Sequence, residues 1–411
     1  MYLIDFANKI ESIDARNTTH NLFWDKTPKI PYFVMMKKEP LVFNPSSKPF
    51  TLGVELELQV LDAESLLLTP RAHEIIDGLA LESLKKEFFK STLEVITGIC
   101  DDVHVVKKDL HYSLEQVRTK ATELGLKISS TGTHPEADYR ERTINSSVRF
   151  NELTDRNQWM IRRTAIYGMH IHVGMPSADF AIEFSNFLLH FVPHVMALSA
   201  SSPFWQRMDT GLAAARPTIY ESMPTSGMPN VVKDWKQFQK LYNSLTSTNS
   251  IGSMKDLWWD IRPSPAFGTI ELRICDEPAT LEEALAIAAF VHMLALWFED
   301  HKEEWNAKHK SILYWVLREN KWRAIRYGLH GEIIVKGNKK PIAIKDDVRY
   351  WLTELEPYVH KCNYAQYITA LNKILDSGNS ALRQQQVYAN SNDLHEVTRF
   401  NVKEFEDGLA I

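Results

Sequence analysis

Residues 50–62 read FTLGVELELQVLD, and within them Val54, Leu56, Leu58 and Val60 alternate with Glu55, Glu57 and Gln59. A period of two marks a strand, whose side chains point alternately to opposite faces, so one face here is apolar and the other carries carboxylates. Glu55 and Glu57 then project from the same face about 7 Å apart, at a rise of about 3.3 Å per residue. Two carboxylates so placed repel unless a cation lies between them. Hard divalent cations such as Mg²⁺ or Mn²⁺ take oxygen ligands, so the pair can hold neighbouring metal ions. The plain alternative is a solvent-facing strand whose acids keep an edge soluble.

Downstream, residues 71–79 read as a helix, 93–97 as a second strand, and 108–124 as an amphipathic helix that Gly125 can stop. A turn-rich stretch covers 129–135. In 169–173, His170 and His172 face one way and Met169, Ile171 and Val173 the other; in 269–274, Glu271 and Arg273 oppose Ile270, Leu272 and Ile274. Both are polar-faced strands. Residues 181–198 and 281–298 read as long helices, with Pro203, Pro217, Pro224 and Pro229 marking loops between them, and 340–411 reads as helical. Strands and helices interleave without a βαβ beat, and the strands are half polar. This predicts an α+β fold in which an antiparallel sheet is backed by helices on one face and open on the other. Three parts are expected: an N-terminal extension over 1–49, rich in proline (Pro28, Pro31, Pro40, Pro45, Pro49), a main domain over 50–340, and a helical part over 341–411 packed on that domain.

The 411 residues hold 47 Lys or Arg against 52 Asp or Glu, a net charge of −5, which excludes a polybasic nucleic-acid binder. Cys100, Cys275 and Cys362 are scattered and odd in number, which excludes a disulfide scaffold and a CxxC zinc site and fits a reducing cytoplasm. The first residues carry Asp5 and Glu11 and show neither a basic nor a continuous apolar region, so no signal peptide is expected. The longest apolar run, 284–298, falls short of the ~18 to 20 residues of a membrane span and is bracketed by Glu282, Glu283, Glu299 and Asp300. A buried helix is expected there, and no membrane.

Other residues could join the carboxylate face. Glu87 and Glu94 flank the second strand, His170 lies on the third and Glu271 with Arg273 on the fourth. Each alone has an ordinary explanation, Glu87 as a surface ion pair with Lys85 or Lys86 and His170 as a satisfied core histidine. Arg262, in WWDIRPSPAFGTIELR, sits on a stiff approach to the fourth strand and could clamp a phosphate or carboxylate, or stack on Trp258 or Trp259. His134, in STGTHPE, follows a glycine turn. The chain has no GxxxxGK[ST] loop, GxGxxG, HExxH or GxSxG, so any nucleotide must be held by metals and side chains. Spacing leads as far as a metal-dependent site of clustered carboxylates.

The ordered blocks FTLGVELELQVLD, STLEVITGIC, STGTHPE, GMHIHVG, ALSASSPFWQRMDTG, DLWWDIRPSPAFGTIELRICD and NKWRAIRYGL resemble the YbdK-like carboxylate-amine ligases, the type 2 glutamate-cysteine ligase family, from about 50 to 329. The resemblance implies a glutamine synthetase-like fold, a curved antiparallel sheet whose concave face carries metals, ATP and substrates. It implies a catalytic domain over 50–340, ATP with Mg²⁺ or Mn²⁺ as cofactors, L-glutamate and an amine such as L-cysteine as substrates, and a cytoplasmic homodimer. By the same resemblance Glu57, Glu87 and Glu94 would hold one ion and Glu55, His170 and Glu271 another. Arg262 and Arg273 would act catalytically on the transferred phosphate, and His134 and Arg262 would help bind the nucleotide. One departure is Lys90, where the family often has Glu or Gln. The free thiols Cys100 and Cys275 are expected to be buried small apolar residues. Alternatives are a same-fold phosphotransferase, a ligase for another amine, and a non-catalytic nucleotide-binding relative.

Overall fold

The structure, a computed structural model, describes residues 41–309, 313–335 and 340–410; the expected extension therefore lies outside the described residues except for its last part, 41–49. Seven strands form the main sheet: β1 (Leu52–Asp62), β2 (Leu84–Lys86), β3 (Thr92–Ile96), β4 (Leu126–Ser129), β5 (Met169–Gly174), β6 (Ile261–Ser264) and β7 (Thr269–Leu272). Their order is β6-β7-β5-β1-β3-β2, with β4 pairing the last residues of β1 on the edge opposite β3, and every pairing is antiparallel. The period-two stretch is thus the long central strand.

Its apolar side sets the core. Val54, Leu56, Leu58 and Val60 are each at most 2% exposed, and they share one cluster with Val103, Val106, Leu110, Leu114 and Val117 of the helix Val103–Glu123. That helix starts five residues before the expected Lys108 because Asp102 caps it, its carboxylate accepting from the N–H groups of His104 (2.8 Å) and Val105 (3.0 Å). It ends before Gly125, whose φ of +68° suits the reversal into β4.

The helix expected over 281–298 runs over Leu281–Lys308, 28 residues, because Trp297, His301 and Trp305 continue the ring-packed stripe past the apolar run. It is long and apolar enough in composition to cross a membrane, yet 89% of its most apolar window is buried inside the protein. The single helix expected over 181–198 is two, Ala178–Leu188 and Val192–Ser199, bent by 64°. Pro193 in the first turn of the second explains the break, since it has no N–H to continue the ladder. From Ile344 to Leu409 five helices follow, and their Val348, Leu355, Tyr364, Leu371, Ile374 and Phe405 belong to the same core cluster as β1.

The stretch 41–49 lies across the sheet's end: Asn44 N–H donates to the Pro265 carbonyl (2.9 Å) and Ser46 N–H to that of Met175 (3.0 Å). Cys100 and Cys275 are both free and buried, and burial pushes both thiols up, that of Cys100 to about 11 and that of Cys275 to about 12. They behave as small apolar residues.

Candidate active site

Residues directly opposite in an antiparallel pair share a face. The registers Glu57↔Glu94, Glu55↔His170, His172↔Glu271 and Arg262↔Glu271 therefore carry one polar face across β3, β1, β5, β7 and β6. Segments more than 200 residues apart in sequence supply a single floor. Arg273, one residue past β7, joins it through a hydrogen bond to Glu271.

Glu55 bridges two imidazoles: its Oε2 lies 2.9 Å from His170 Nδ1 and its Oε1 3.2 Å from His172 Nε2. Burial alone would raise its pKa, but hydrogen bonds from the two histidines and their charge outweigh that and hold the carboxyl well below the usual range. His170 is only 3% exposed, and burial followed by the charge of Arg273 pushes it down to about 4. A neutral imidazole donating Nδ1–H to Glu55 leaves Nε2 bare, and that buried atom has no hydrogen-bond partner.

The remaining acids crowd each other. Burial raises Glu57 to about 7 against the pull of Arg216, and the charge of Glu87 adds to the rise. Burial likewise raises Glu87, and Glu94 is raised well above the usual range by burial and then by the charges of Glu87, Glu55 and Glu57. A set of half-buried carboxylates that raise one another, beside two imidazoles, has the donor chemistry of a hard divalent cation. Two triads have ligand atoms within 4.8 Å of one another, Glu55–Glu94–His170 and Glu55–His172–Glu271.

This differs from the expected division of ligands. Glu55 belongs to both triads, and Glu57 and Glu87 to neither: a Glu57 oxygen accepts the Gly168 N–H at 2.6 Å, and a Glu87 oxygen accepts the Phe88 N–H at 3.0 Å. Glu271, 1% exposed, is gripped by Arg262 through two N–H groups (2.9 and 3.0 Å) and by Arg273, whose charges hold it low against the effect of burial. Its charge is already matched by guanidinium, so it is a weaker metal ligand than Glu55 or Glu94.

His134 is not brought to this face. Its Nε2–H donates to the Leu66 carbonyl (2.9 Å), its Nδ1 accepts from the N–H groups of Glu136 and Ala137 (3.1 Å each), and it is 2% exposed. With both nitrogens committed to backbone it holds a turn, and the nucleotide role expected of it has no free atom to serve it. Lys90 precedes β3 in a turn, and the lysine in register with Glu94 is Lys85.

Three contributors escaped sequence reasoning. His172 alternates in phase with His170, so the strand period alone could have found it. Arg216, 5% exposed, donates from Nη1 to the carbonyls of Arg273 (3.3 Å), Ile274 (3.4 Å) and Cys275 (3.0 Å), pinning the segment that carries Arg273. A Cβ on Gly168 would meet its guanidinium at 2.0 Å, so any larger residue there would have to displace Arg216. Glu277, raised well above the usual range by burial, accepts the Glu57 N–H at 3.0 Å. Neither Arg216 nor Glu277 has a periodicity that would mark it.

Residues 51–401 match the sequence profile of glutamate-cysteine ligase family 2. A Gloeobacter violaceus protein provisionally named glutamate–cysteine ligase 2 is 40% identical over 379 residues, covering 90% of this chain and 99% of its own length. A Bdellovibrio bacteriovorus protein of the same provisional name is 39% identical over 339 residues, covering 82% and 89%. Among solved structures, a Francisella tularensis glutamate–cysteine ligase in complex with AMP aligns with a TM-score of 0.62 at 14% identity, over 89% of this chain and 90% of that one. A bifunctional glutathione synthetase from Pasteurella multocida gives 0.64 at 14% identity, over 88% and 53%. At such identities the likeness is one of fold, the antiparallel ligase sheet of the glutamine synthetase type.

Proposed function

Because the chain belongs to glutamate-cysteine ligase family 2, we propose that it is an ATP-dependent carboxylate–amine ligase that activates the γ-carboxylate of L-glutamate and joins it to an amine, with L-cysteine as the first candidate. The observation that carries this reading is the convergence of Glu55, Glu94, His170, His172 and Glu271 with Arg262 and Arg273 on one sheet face.

A carboxylate oxygen of glutamate attacks the γ-phosphorus of ATP, the bond to the β,γ-bridging oxygen breaks, and ADP leaves with the electron pair. The neutral amine then attacks the acyl carbon, phosphate departs, and the nitrogen loses a proton as the amide forms. Little of this needs a nucleophile from the protein; it needs anions held close and charge offset where it develops. Glu55 and Glu94 with His170 would hold Mg²⁺ or Mn²⁺, and His172 with Glu271 would complete a second position. When bound, the metal supplies charge neutralisation and orientation of phosphate oxygens. Arg262 and Arg273 already carry one carboxylate, Glu271, between them, and their remaining N–H groups suit phosphate or substrate carboxylate oxygens. Glu57 and Glu87 sit behind the ligands, where their charge deepens the local potential.

The test is phosphate release from Mg·ATP with L-glutamate, with and without a panel of amines that includes L-cysteine, with product masses read in the same tubes. Amine-dependent release with a new γ-glutamyl mass establishes the ligase and names the amine. Release that ignores glutamate, or a phosphorylated product that persists with amine present, sinks it.

A further inference from the structure

Away from the sheet, the helices Leu281–Lys308, Tyr314–Tyr327 and Ile344–Glu354 enclose a cavity of about 690 Å³ that no residue of the seven strands lines. Its size falls within the roughly 300–1,000 Å³ of small-molecule sites. The wall is aromatic and already braced: Trp297 and Trp351 have ring centroids 5.0 Å apart, Phe191 and Trp351 4.7 Å, and His301 lies flat on Trp297 at 4.5 Å. Trp315, 62% exposed, stands among the lining residues with most of its ring open to solvent.

The polar groups in this wall have a sign. Among the described lining residues, Glu304, Asp347 and Glu354 stand against one ammonium, that of Lys308, which Glu304 engages at 2.6 Å. His194, 2% exposed, places Nε2 2.6 Å from an Asp347 oxygen, and its Nδ1 is buried with no hydrogen-bond partner. Aromatic faces attract cations, and an excess of carboxylates over cations does the same. An anion would meet carboxylates and the negative faces of indole rings. An uncharged ring would leave the excess negative charge unanswered.

We propose that this cavity binds a small organic ammonium compound, a protonated amine on an apolar or aromatic body, at a site separate from the ligase face. The cation lies against the indole rings near Glu354 and Asp347.

The experiment is calorimetric titration of the full chain at about pH 8, above the ordinary imidazole range, with benzylamine as the cationic probe, benzyl alcohol as the uncharged one and benzoate as the anion. The expected result is saturable binding of benzylamine, at least about tenfold tighter than either of the others, the size of preference that a desolvated cation–π contact and an ion pair supply. Trp315→Leu and Glu354→Gln, both at exposed positions, should each weaken benzylamine at least about fivefold with unchanged thermal midpoints. Glu57→Gln, on the sheet, should leave its affinity unchanged. Equal affinity for the three probes, a preference for benzoate, indifference to both Trp315→Leu and Glu354→Gln, or loss of binding in Glu57→Gln would each overturn the proposal. The last would place the amine on the ligase face.

Discussion

At the scale of single residues, carboxyl groups of one chemical type take opposite characters within one sheet face. Glu55 is held ionised by two imidazoles, whereas Glu57 is raised to about 7 by burial. Glu57→Gln removes the charge behind the ligand set but keeps an oxygen for the Gly168 N–H, so the fold should persist while turnover falls on the order of a hundredfold or more. Phosphate release and a thermal melt on one preparation check this, and wild-type turnover in a folded variant refutes it. His134 makes a prediction about pH. Its folded pKa of about 4 lies below the ordinary 6.5, so the unfolded chain binds the proton first. Its contribution is fully present above about pH 6.5 and is lost as pH falls from there toward 4. Between pH 7.5 and 5 that amounts to about 2 kcal/mol, and His134→Gln should shrink the wild-type difference in urea stability by about that much. The carboxylates and His170 were legible because strand alternation is visible in a sequence. Whether a histidine has a free nitrogen is not: His134 looks functional in STGTHPE, and only its three backbone partners reveal a turn-holding role.

At the scale of elements, local signals placed four of the seven strands, missed the short ones at 84–86, 126–129 and 261–264, and set helix ends poorly. Polar and apolar residues alternate at the strand period in β1, β5 and β7, so their positions and faces were readable. The helix Val103–Glu123 begins earlier than its apolar stripe suggested because Asp102 satisfies two orphan N–H groups. Asp102→Ala should cost about 1 kcal/mol, measured as a shift in urea midpoint without loss of the site. The β6–β7 hairpin carries a stricter requirement. Gly268 has φ +66°, and a Cβ there would lie 1.8 Å from the Asn44 backbone oxygen. Gly268→Ala therefore strains the hairpin and drives off the strap at 41–49, and a loss of about 2 kcal/mol or more is expected in denaturant stability. A midpoint within error of wild type would mean the strap does not bear on the hairpin. No sequence signal ties Asn44 to Gly268, since their contact depends on how the chain returns across the sheet.

At the scale of the whole molecule, one core cluster runs from Phe43 through β1 to Leu409. The helix Leu281–Lys308 passes through it with Phe290 fully buried. Its apolar run and the acids that bracket it marked it as a buried helix, but which elements it packs against was not readable, because an all-round apolar helix shows no preferred face. Phe290→Ala should cost about 4 kcal/mol, and fluorescence and circular dichroism should lose signal together, as one cooperative unit requires. Separate transitions for the sheet and the C-terminal helices would show that the shared cluster does not couple them. The central place of β1 has a consequence for how activity would be lost. Its two edges are occupied by β3, β4 and β5, so its amides have no neighbouring solvent through which to exchange hydrogen for deuterium short of general unfolding. Glu55 and Glu57 ride on the segment with the slowest isotope exchange, and heat inactivation should track the melting of the entire chain instead of running ahead of it.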